Sequence, residues 1–243
     1  MSKAQIDFLV RLKRKKYRDQ HGKFIIENPK VIFEQYENPL LDSVYVTDNY
    51  FRENEDELVF PHLERLSEKD FQRVSSLVSP PGILAIFNMP KLKDFNFKAK
   101  QVILLDEIQD PGNMGTILRT ADWFGFKDIF LSKNCVEVYN PKVISSTMGS
   151  IFNLNIYSEL DLQELAGTFQ QEKYSLVVSD LAGSKANFNS QQKIALVIGN
   201  ESKGVNQELK DLADQKIKIL KFGQAESLNA AVAAGILMYE LKK

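Results

Sequence analysis

The sequence predicts a two-part α/β protein, with a smaller mixed α/β portion over residues 1–95 and a larger portion over residues 96–243 built on a mostly parallel sheet. Three observations carry this. From Gln101 onward, compact β-branched runs alternate with helical segments, and continuous apolar runs of that kind suit strands buried on both faces and joined by right-handed crossovers. Before residue 90 the strand-like runs are mixed with helical stretches and punctuated by Pro29, Pro39, Pro61, Pro80 and Pro81. Between the two parts, "NMPKLKDFNFKAK" at residues 88–100 reads as a linker.

Taken in order, a basic helical start runs from Ile6 to Gln20, and strand-like runs follow at "KFIIE", "SVYVTD", "FQRVSSLV" and "GILAIF". Beyond the linker the runs are "QVILLDEI", "DIFLS", "YSLVVSDL", "IALVIGN" and "IKILKF". After the first of these, Asn113 or Thr116 is read as starting a helix that carries Arg119 one to two turns in. Ser227 is read as the N-cap of the last helix, "LNAAVAAGILMYEL", with Asn229 in its first turn. Small residues on several faces of that helix suit an interior position.

Composition removes several chemistries. Cys135 is the single cysteine and His21 and His62 are the two histidines, so no disulfide, metal cluster or histidine-based nucleophile system is expected. The N-terminus lacks the apolar core of a signal peptide, and the longest apolar run, Ala230 to Tyr239, is about half of the ~20 residues that span a bilayer. The expectation is a cytoplasmic protein with no membrane partner. Net charge is −1, yet the first 35 residues hold nine Lys/Arg against four Asp/Glu, whereas residues 37–70 hold three against ten. That asymmetry points to a polyanion bound by the N-terminal region, where Arg11, Lys13, Arg14, Lys15, Lys16 and Arg18 crowd eight positions. Tyr17 and Phe24 are candidates for stacking on unpaired bases or, more conservatively, for core packing.

Three C-terminal strands end in related loops, "DEIQDPGNMGTILRTADWFG" (106–125), "GNESKGV" (199–205) and "GQAESLNAAVAAGI" (223–236). Ligands of open parallel sheets bind outside the carboxyl ends of the strands, so the three loops are expected to line one pocket. Gly199 and Gly204 have the spacing of a phosphate-binding loop, but Val205 and Asn206 stand where its Lys and Ser/Thr belong, and no Gly-x-Gly-x-x-Gly follows a strand. Each loop also carries acids: Asp106, Glu107 and Asp110, then Glu201, then Glu226. A carboxylate 4 Å from a phosphate charge costs roughly 4 kcal/mol at an effective dielectric of 20. A nucleoside bearing a positive charge suits such loops better, and the sulfonium of S-adenosylmethionine is one. Taken singly, Gly112, Gly115, Gly199, Gly204 or Gly223 would serve equally well to close a turn.

These loops resemble the three motifs of the SpoU/TrmH branch of the SPOUT RNA methyltransferases: "DPGNMGTILRTADWFG", "ALVIGNESKGV" and "ESLNAAVAAGILMYEL" in order. Upstream, "RLKRKKYRDQHGKFIIENPKVIFE" and "SPPGILAIF" resemble the start and end of that family's ribosomal-protein-like RNA-binding domain, so the likeness covers nearly the whole chain. It implies a trefoil knot in the C-terminal domain, S-adenosylmethionine as methyl donor, and 2'-O-methylation of a ribose in structured RNA, ribosomal rather than transfer RNA. It also implies a homodimer formed through the C-terminal domain. By position, the resemblance assigns catalysis to Asn113, Arg119, Glu201, Ser227 and Asn229, and cofactor contacts to Gly199, Asn200, Glu201, Gly204, Ile219 and Leu228. The departures are Leu220 and Lys221 where Pro and Met are usual, Thr147 and Ser150 where Ser and Ala are usual, and Asn28 where Gly is more frequent. Arg119 is given as general base or as electrostatic stabiliser; a guanidinium pKa above ~12 favours the second. The alternative is an RNA-binding protein of the same fold without catalysis.

Overall fold

The computed structural model describes residues 1–92, 94–185, 188 and 192–243, so Lys93 of the expected linker lies outside the described residues. The chain divides into two units, Met1–Lys91 with Tyr139–Met148, and Leu92–Val138 with Gly149–Lys243.

The first unit begins with α1 (Lys3–Arg11) and α2 (Lys15–His21), followed by β1 (Lys23–Ile26), α3 (Pro29–Glu34) and β2 (Leu41–Thr47). It continues through α4 (Asp48–Asn54), β3 (Leu63–Leu66), α5 (Glu68–Val74) and β4 (Ile83–Asn88). Its sheet runs β1-β4-β2-β3, with β4 antiparallel to both neighbours and β2 parallel to β3. The basic start is two helices rather than one. Leu12 is buried at the break, and the buried Arg18 guanidinium donates to the carbonyls of Leu12 (3.0 Å) and Lys13 (2.7 Å), groups a continuous helix would have bonded internally. "FQRVSSLV" is not a strand: Ser67 caps α5 by accepting from the Asp70 N–H, and Phe71 and Val74 are buried at helical spacing. The strand in this region is β3, too short and polar to show an alternating signal. Ile6, Leu9, Leu12, Phe71, Val74, Leu84 and Ile86 share one core cluster, each burial worth about 1.5–3 kcal/mol for a side chain of that size.

The second unit holds β5 (Gln101–Leu105), α6 (Pro111–Trp123) and β6 (Asp128–Ser132); the helix that follows, α7 (Pro141–Thr147), belongs to the first unit, where Tyr139 packs on Phe24 at 4.9 Å. Then come β7 (Asn155–Leu160), α8 (Leu162–Gln171), β8 (Tyr174–Lys185), β9 (Lys193–Ile198), α9 (Gln207–Leu212), β10 (Gln215–Lys218) and α10 (Ala230–Lys242). The sheet order is β10-β8-β9-β5-β6-β7 and every neighbouring pair is parallel, the architecture predicted for this half. The strand β7 was not anticipated, and "IKILKF" is a strand only as far as Lys218. Residues 94–99 do not behave as a free linker. The Phe95 ring packs on Phe130 at 5.1 Å and Phe97 packs on Phe169 at 5.6 Å, within the core that also holds Val102, Leu104 and Leu176.

One feature of this order positions the site. Leaving β5 the chain moves outward through β6 and β7, then returns so that β9 lies directly against the other side of β5, with Leu105 opposite Ile198. The direction of winding therefore reverses at the β5/β9 boundary, which is where open parallel sheets form a crevice.

Candidate active site

Because β5 and β9 end in register, the segments that follow them are joined from their first residues. The Asp106 N–H donates to the Ile198 carbonyl (2.9 Å), and Asp106 Oδ2 accepts from the Asn206 N–H (2.8 Å) at the far end of the second loop. Glu107 has a left-handed backbone (φ 55°), and its carbonyl accepts from Asn200 Nδ2 at 2.8 Å. The loop between is closed on itself: Asn200 and Gly204 exchange both backbone hydrogen bonds at 3.0 Å, and Asn200 Oδ1 accepts from the N–H groups of Ser202 and Lys203. Gly204 is left-handed (φ 72°), and Gly199 has no room for a side chain, since a Cβ there would lie 2.3 Å from the Gly204 carbonyl carbon and the Val205 nitrogen. The result is a narrow, backbone-lined loop with its shape determined from both ends. Lys203 pairs with Glu107 at 3.7 Å, so the loop's own cation is matched by a carboxylate.

The first loop runs into α6. Asp110 is the N-cap, its Oδ1 accepting from the Asn113 N–H at 2.8 Å, and Pro111 occupies the first turn, so the helix starts earlier than either Asn113 or Thr116. That places Asn113 at the mouth of the second loop. Its Nδ2 donates to Glu201 Oε1 (2.8 Å) while its Oδ1 accepts from Asn229 Nδ2 (2.8 Å). Asn229 is in turn the N-cap of α10, accepting from Ala231 N–H (2.9 Å) and Val232 N–H (3.3 Å). The cap is therefore Asn229 and not Ser227, which lies exposed two residues earlier. The amide offers an oxygen that spans two backbone donors and an NH₂ group that still reaches Asn113, whereas a hydroxyl has no equivalent second arm.

A single relay, Glu201 to Asn113 to Asn229, thus joins the three predicted loops. Glu201 is half-buried, and its second oxygen takes no hydrogen bond from a described residue. Arg119 lies on α6, two turns beyond Asn113; it is exposed and makes no ion pair or hydrogen bond with any described residue. It stands outside the relay as an unmatched cation on its flank. Ile219, half-buried just past β10, and Leu228, 45% exposed beside Asn229, are not joined to the relay by hydrogen bonds. With Leu220 at 42% exposure they leave apolar surface uncovered between β10 and α10.

Sequence reasoning named Asp106 only as one acid among several; the structure makes it the anchor of the second loop. It is 5% exposed, and burial raises its carboxyl above the ordinary 3.8, a shift opposed by the Asn206 hydrogen bond and reinforced by Glu107 and Glu208. The available signal was a carboxylate ending an apolar run, which requires a partner. In the range above 3.8 the folded carboxyl holds its proton more tightly than the unfolded one. This contribution to stability is therefore greatest below 3.8 and is lost as pH rises through the raised range. Asp106→Asn, which keeps an acceptor for Asn206, is expected to flatten that dependence in thermal melts. Asp106→Ala is expected to cost about 0.5–1.5 kcal/mol by removing the hydrogen bond to the Asn206 N–H.

In the first unit, the predicted basic residues gather at the corner between α1 and α2. Arg14 and Lys16 are exposed, and neither has an ion pair among the described residues. Lys15 pairs with Asp19 at 3.8 Å, Arg11 lies over the Tyr17 ring at 5.4 Å, and Lys13 Nζ donates to the Arg73 carbonyl at 2.7 Å. Arg18 is 3% exposed and shapes the corner from within, so it is not available to an external phosphate. Phe24 is core, 1% exposed and stacked on Phe87. Among the described residues no group of His, Cys, Asp and Glu could hold a metal, and no helix is long and apolar enough to cross a membrane.

Residues 100–239 match the SpoU rRNA Methylase family, and residues 3–85 match the MRM3-like substrate binding domain. The chain is 32% identical over 237 residues to the 23S rRNA (guanosine(2553)-2'-O)-methyltransferase RlmP of Bacillus subtilis, covering 96% of this chain and 93% of that one. A TrmH-family structure from Porphyromonas gingivalis superposes with a TM-score of 0.86 at 28% identity, covering 99% of this chain and 98% of that one. An AdoMet-bound rRNA methyltransferase from Sinorhizobium meliloti shares the fold, with a TM-score of 0.85 at 24% identity over 99% of this chain and 94% of that one. Three loops joined at a sheet crevice by one amide relay, and a family match spanning every residue of that relay, lead to one conclusion: the chain belongs to the SpoU rRNA methylase family.

Proposed function

We propose that this protein transfers a methyl group from S-adenosylmethionine to a ribose 2'-hydroxyl of ribosomal RNA. The observation that carries the reading is the Glu201–Asn113–Asn229 relay, which sets an acceptor, an amide and a helix N-terminus around the closed loop 199–204. Support for the substrate comes from RlmP, whose name specifies a 2'-O position in 23S rRNA. The donor fits the residues present. The loop is lined by backbone at Gly199 and Gly204, its own cation Lys203 is paired with Glu107, and Leu228, Ile219 and Leu220 offer apolar surface to a planar base. Bound there, S-adenosylmethionine would supply the methyl group, its S–CH3 bond breaking so that the sulfonium departs as a neutral thioether.

The chain's own groups do the rest. Glu201, steadied by Asn113, presents its second oxygen as an acceptor for the ribose hydroxyl, and Asn229 holds Asn113 in the orientation that makes this possible. Arg119, permanently charged and unmatched, holds the adjacent phosphate and stabilises negative charge on the hydroxyl oxygen as its proton passes to the Glu201 carboxylate. Ser227 contributes from the exposed third loop. Alignment of the hydroxyl with the methyl group supplies several further kcal/mol. In this reading residues 1–95 bind the RNA, residues 96–243 carry out transfer, and the protein works in the cytoplasm. The C-terminal segment is threaded as a trefoil knot, a path in keeping with the close backbone passes at Gly183 and Gly199. Tritium transfer from labelled donor to rRNA of cells lacking the protein tests the activity. Binding of RNA without transfer would leave the non-catalytic alternative instead.

We also propose a homodimer through α10. Val232, Ile236 and Tyr239 lie on one face of α10 and are 50%, 36% and 54% exposed, while Trp123 on the adjoining α6 is 84% exposed. Apolar groups spaced i, i+4 and i+7 on a surface helix call for a partner face, and a self-complementary patch supplies one in a second copy. Ile236→Glu is expected to give a monomer in sedimentation velocity.

A further inference from the structure

The loop that follows β9 is fastened to the strand on one side of it by neutral and carboxylate hydrogen bonds: at the end of β5, Asp106 Oδ2 accepts from the Asn206 N–H and the Glu107 carbonyl accepts from Asn200 Nδ2. The strand on the other side of β9 is β8, and there the fastening is ionic. Lys210, on α9 directly after the loop, places its Nζ 2.8 Å from Asp180 Oδ2 on β8. The two side chains are only 20% and 13% exposed. The same ammonium lies against the loop itself, 3.8 Å from the point a Cβ on Gly204 would occupy. A solvated ion pair contributes little, but one enclosed to this degree is costly to break from one side, so it acts as a fixed link.

Asp180 belongs to an irregular stretch of β8. Lys216 of β10 is opposite Val178, yet the next residue, Ile217, is opposite Ser184, so residues 179–183 have no opposing positions on β10. The stretch rejoins the sheet at Gly183, where a Cβ would lie 2.6 Å from the carbonyl carbon and oxygen of Lys216. One carboxylate serves both the turn and the link: Asp180 Oδ1 accepts from the Ala182 N–H at 2.8 Å while Oδ2 holds Lys210. The Lys210 hydrogen bond, then the Ala182 N–H and the charges of Lys210 and Lys216, keep this carboxyl below the ordinary 3.8 against the cost of its burial.

We propose that Asp180 and Lys210 are positioning residues for the methyl donor: they clamp the irregular stretch of β8 to the closed loop 199–204, so that the loop keeps its binding shape on the β8 side as Asp106 and Glu107 keep it on the β5 side. Neither side chain touches the reacting atoms. The clamp acts at Gly204, whose left-handed backbone closes the loop through the paired hydrogen bonds with Asn200. Opening it lets that turn drift, which enlarges the loop without altering Glu201, Asn113 or Arg119. The inference rests on the reading that the loop 199–204 holds S-adenosylmethionine.

Calorimetry of the full chain with S-adenosylmethionine and with its neutral product S-adenosylhomocysteine, together with steady-state methyl transfer to rRNA, tests it. Asp180→Asn with Lys210→Met removes both charges at once, so no enclosed charge is left unpaired and the melting curve is expected to stay close to wild type. This double variant should bind donor and product each about tenfold more weakly, the scale of coupling between contacting residues, with the donor KM rising in step and kcat at saturating donor unchanged. Lys210→Arg keeps the cation and should restore most of the affinity. Should the double variant melt early, Lys210→Gln, which loses the charge but leaves Asp180 a polar neighbour, repeats the comparison. If the variant binds the donor like wild type while transfer to rRNA persists, the clamp is overturned and the parent reading stands. Weaker donor binding with unchanged product binding would show that the pair acts by charge on the sulfonium, and a lower kcat at unchanged KM would show a role in the chemical step; either overturns positioning. If wild-type protein binds neither nucleoside, both readings fall together.

Discussion

Arg119→Ala is expected to reduce methyl transfer by about 10²–10³-fold, the loss typical of removing one group aimed at developing charge, while donor affinity measured by calorimetry stays within about twofold. The split follows from position. Arg119 is exposed on α6 and has no bond to the loop 199–204 or to Glu201, so its removal leaves the relay and the loop intact. A residue that merely shaped the pocket would change binding and rate together. Arg119→Lys keeps the charge but loses the planar fork, and should retain part of the rate if the role is electrostatic. Full activity in the alanine variant would remove Arg119 from the mechanism altogether.

Gly199→Ala should be more damaging to donor binding than any substitution at the loop's exposed side chains. A methyl group at this position would sit 2.3 Å from backbone atoms of Gly204 and Val205, and no flexible side chain is available to yield. The reciprocal Asn200–Gly204 hydrogen bonds must open to make room, which moves Glu201 away from Asn113. Overpacking of backbone against backbone costs about 3 kcal/mol, equivalent to roughly a hundredfold in affinity. Gly223→Ala is the control: its added Cβ meets nothing within 4 Å, and binding should be unchanged. Equal behaviour of the two variants in calorimetry would show that the closed form of the loop is not the binding form.

Those two glycines also show where legibility ends. In the sequence they are alike, each sitting after a β-branched run near a strand end, and nothing local separates a residue with no room for a methyl group from one facing open space. The strands of the parallel sheet were legible because burial on both faces writes an unbroken apolar run into a few consecutive residues, as in "QVILL" and "KIALVI". The short or polar strands β3 and β7 were not, since their place comes from pairing with β2 and β6 rather than from their own pattern. Helix starts were misplaced for a related reason: Asp110 and Asn229 are caps through hydrogen bonds that several nearby residues were chemically able to make.

By itself, then, the amino-acid order determined the parallel sheet, the chemistry of its three terminal loops, and the basic charge at the start of the chain, all of which are properties of short contiguous stretches. Only the tertiary structure decided that β9 lies between β8 and β5, that Asp106 anchors a loop ending at Asn206, and that Asn113 meets Asn229 across 116 positions. Local propensity acts over the few residues of one turn or one strand. Contacts between distant segments depend instead on strand order, which is settled by the packing of the whole sheet.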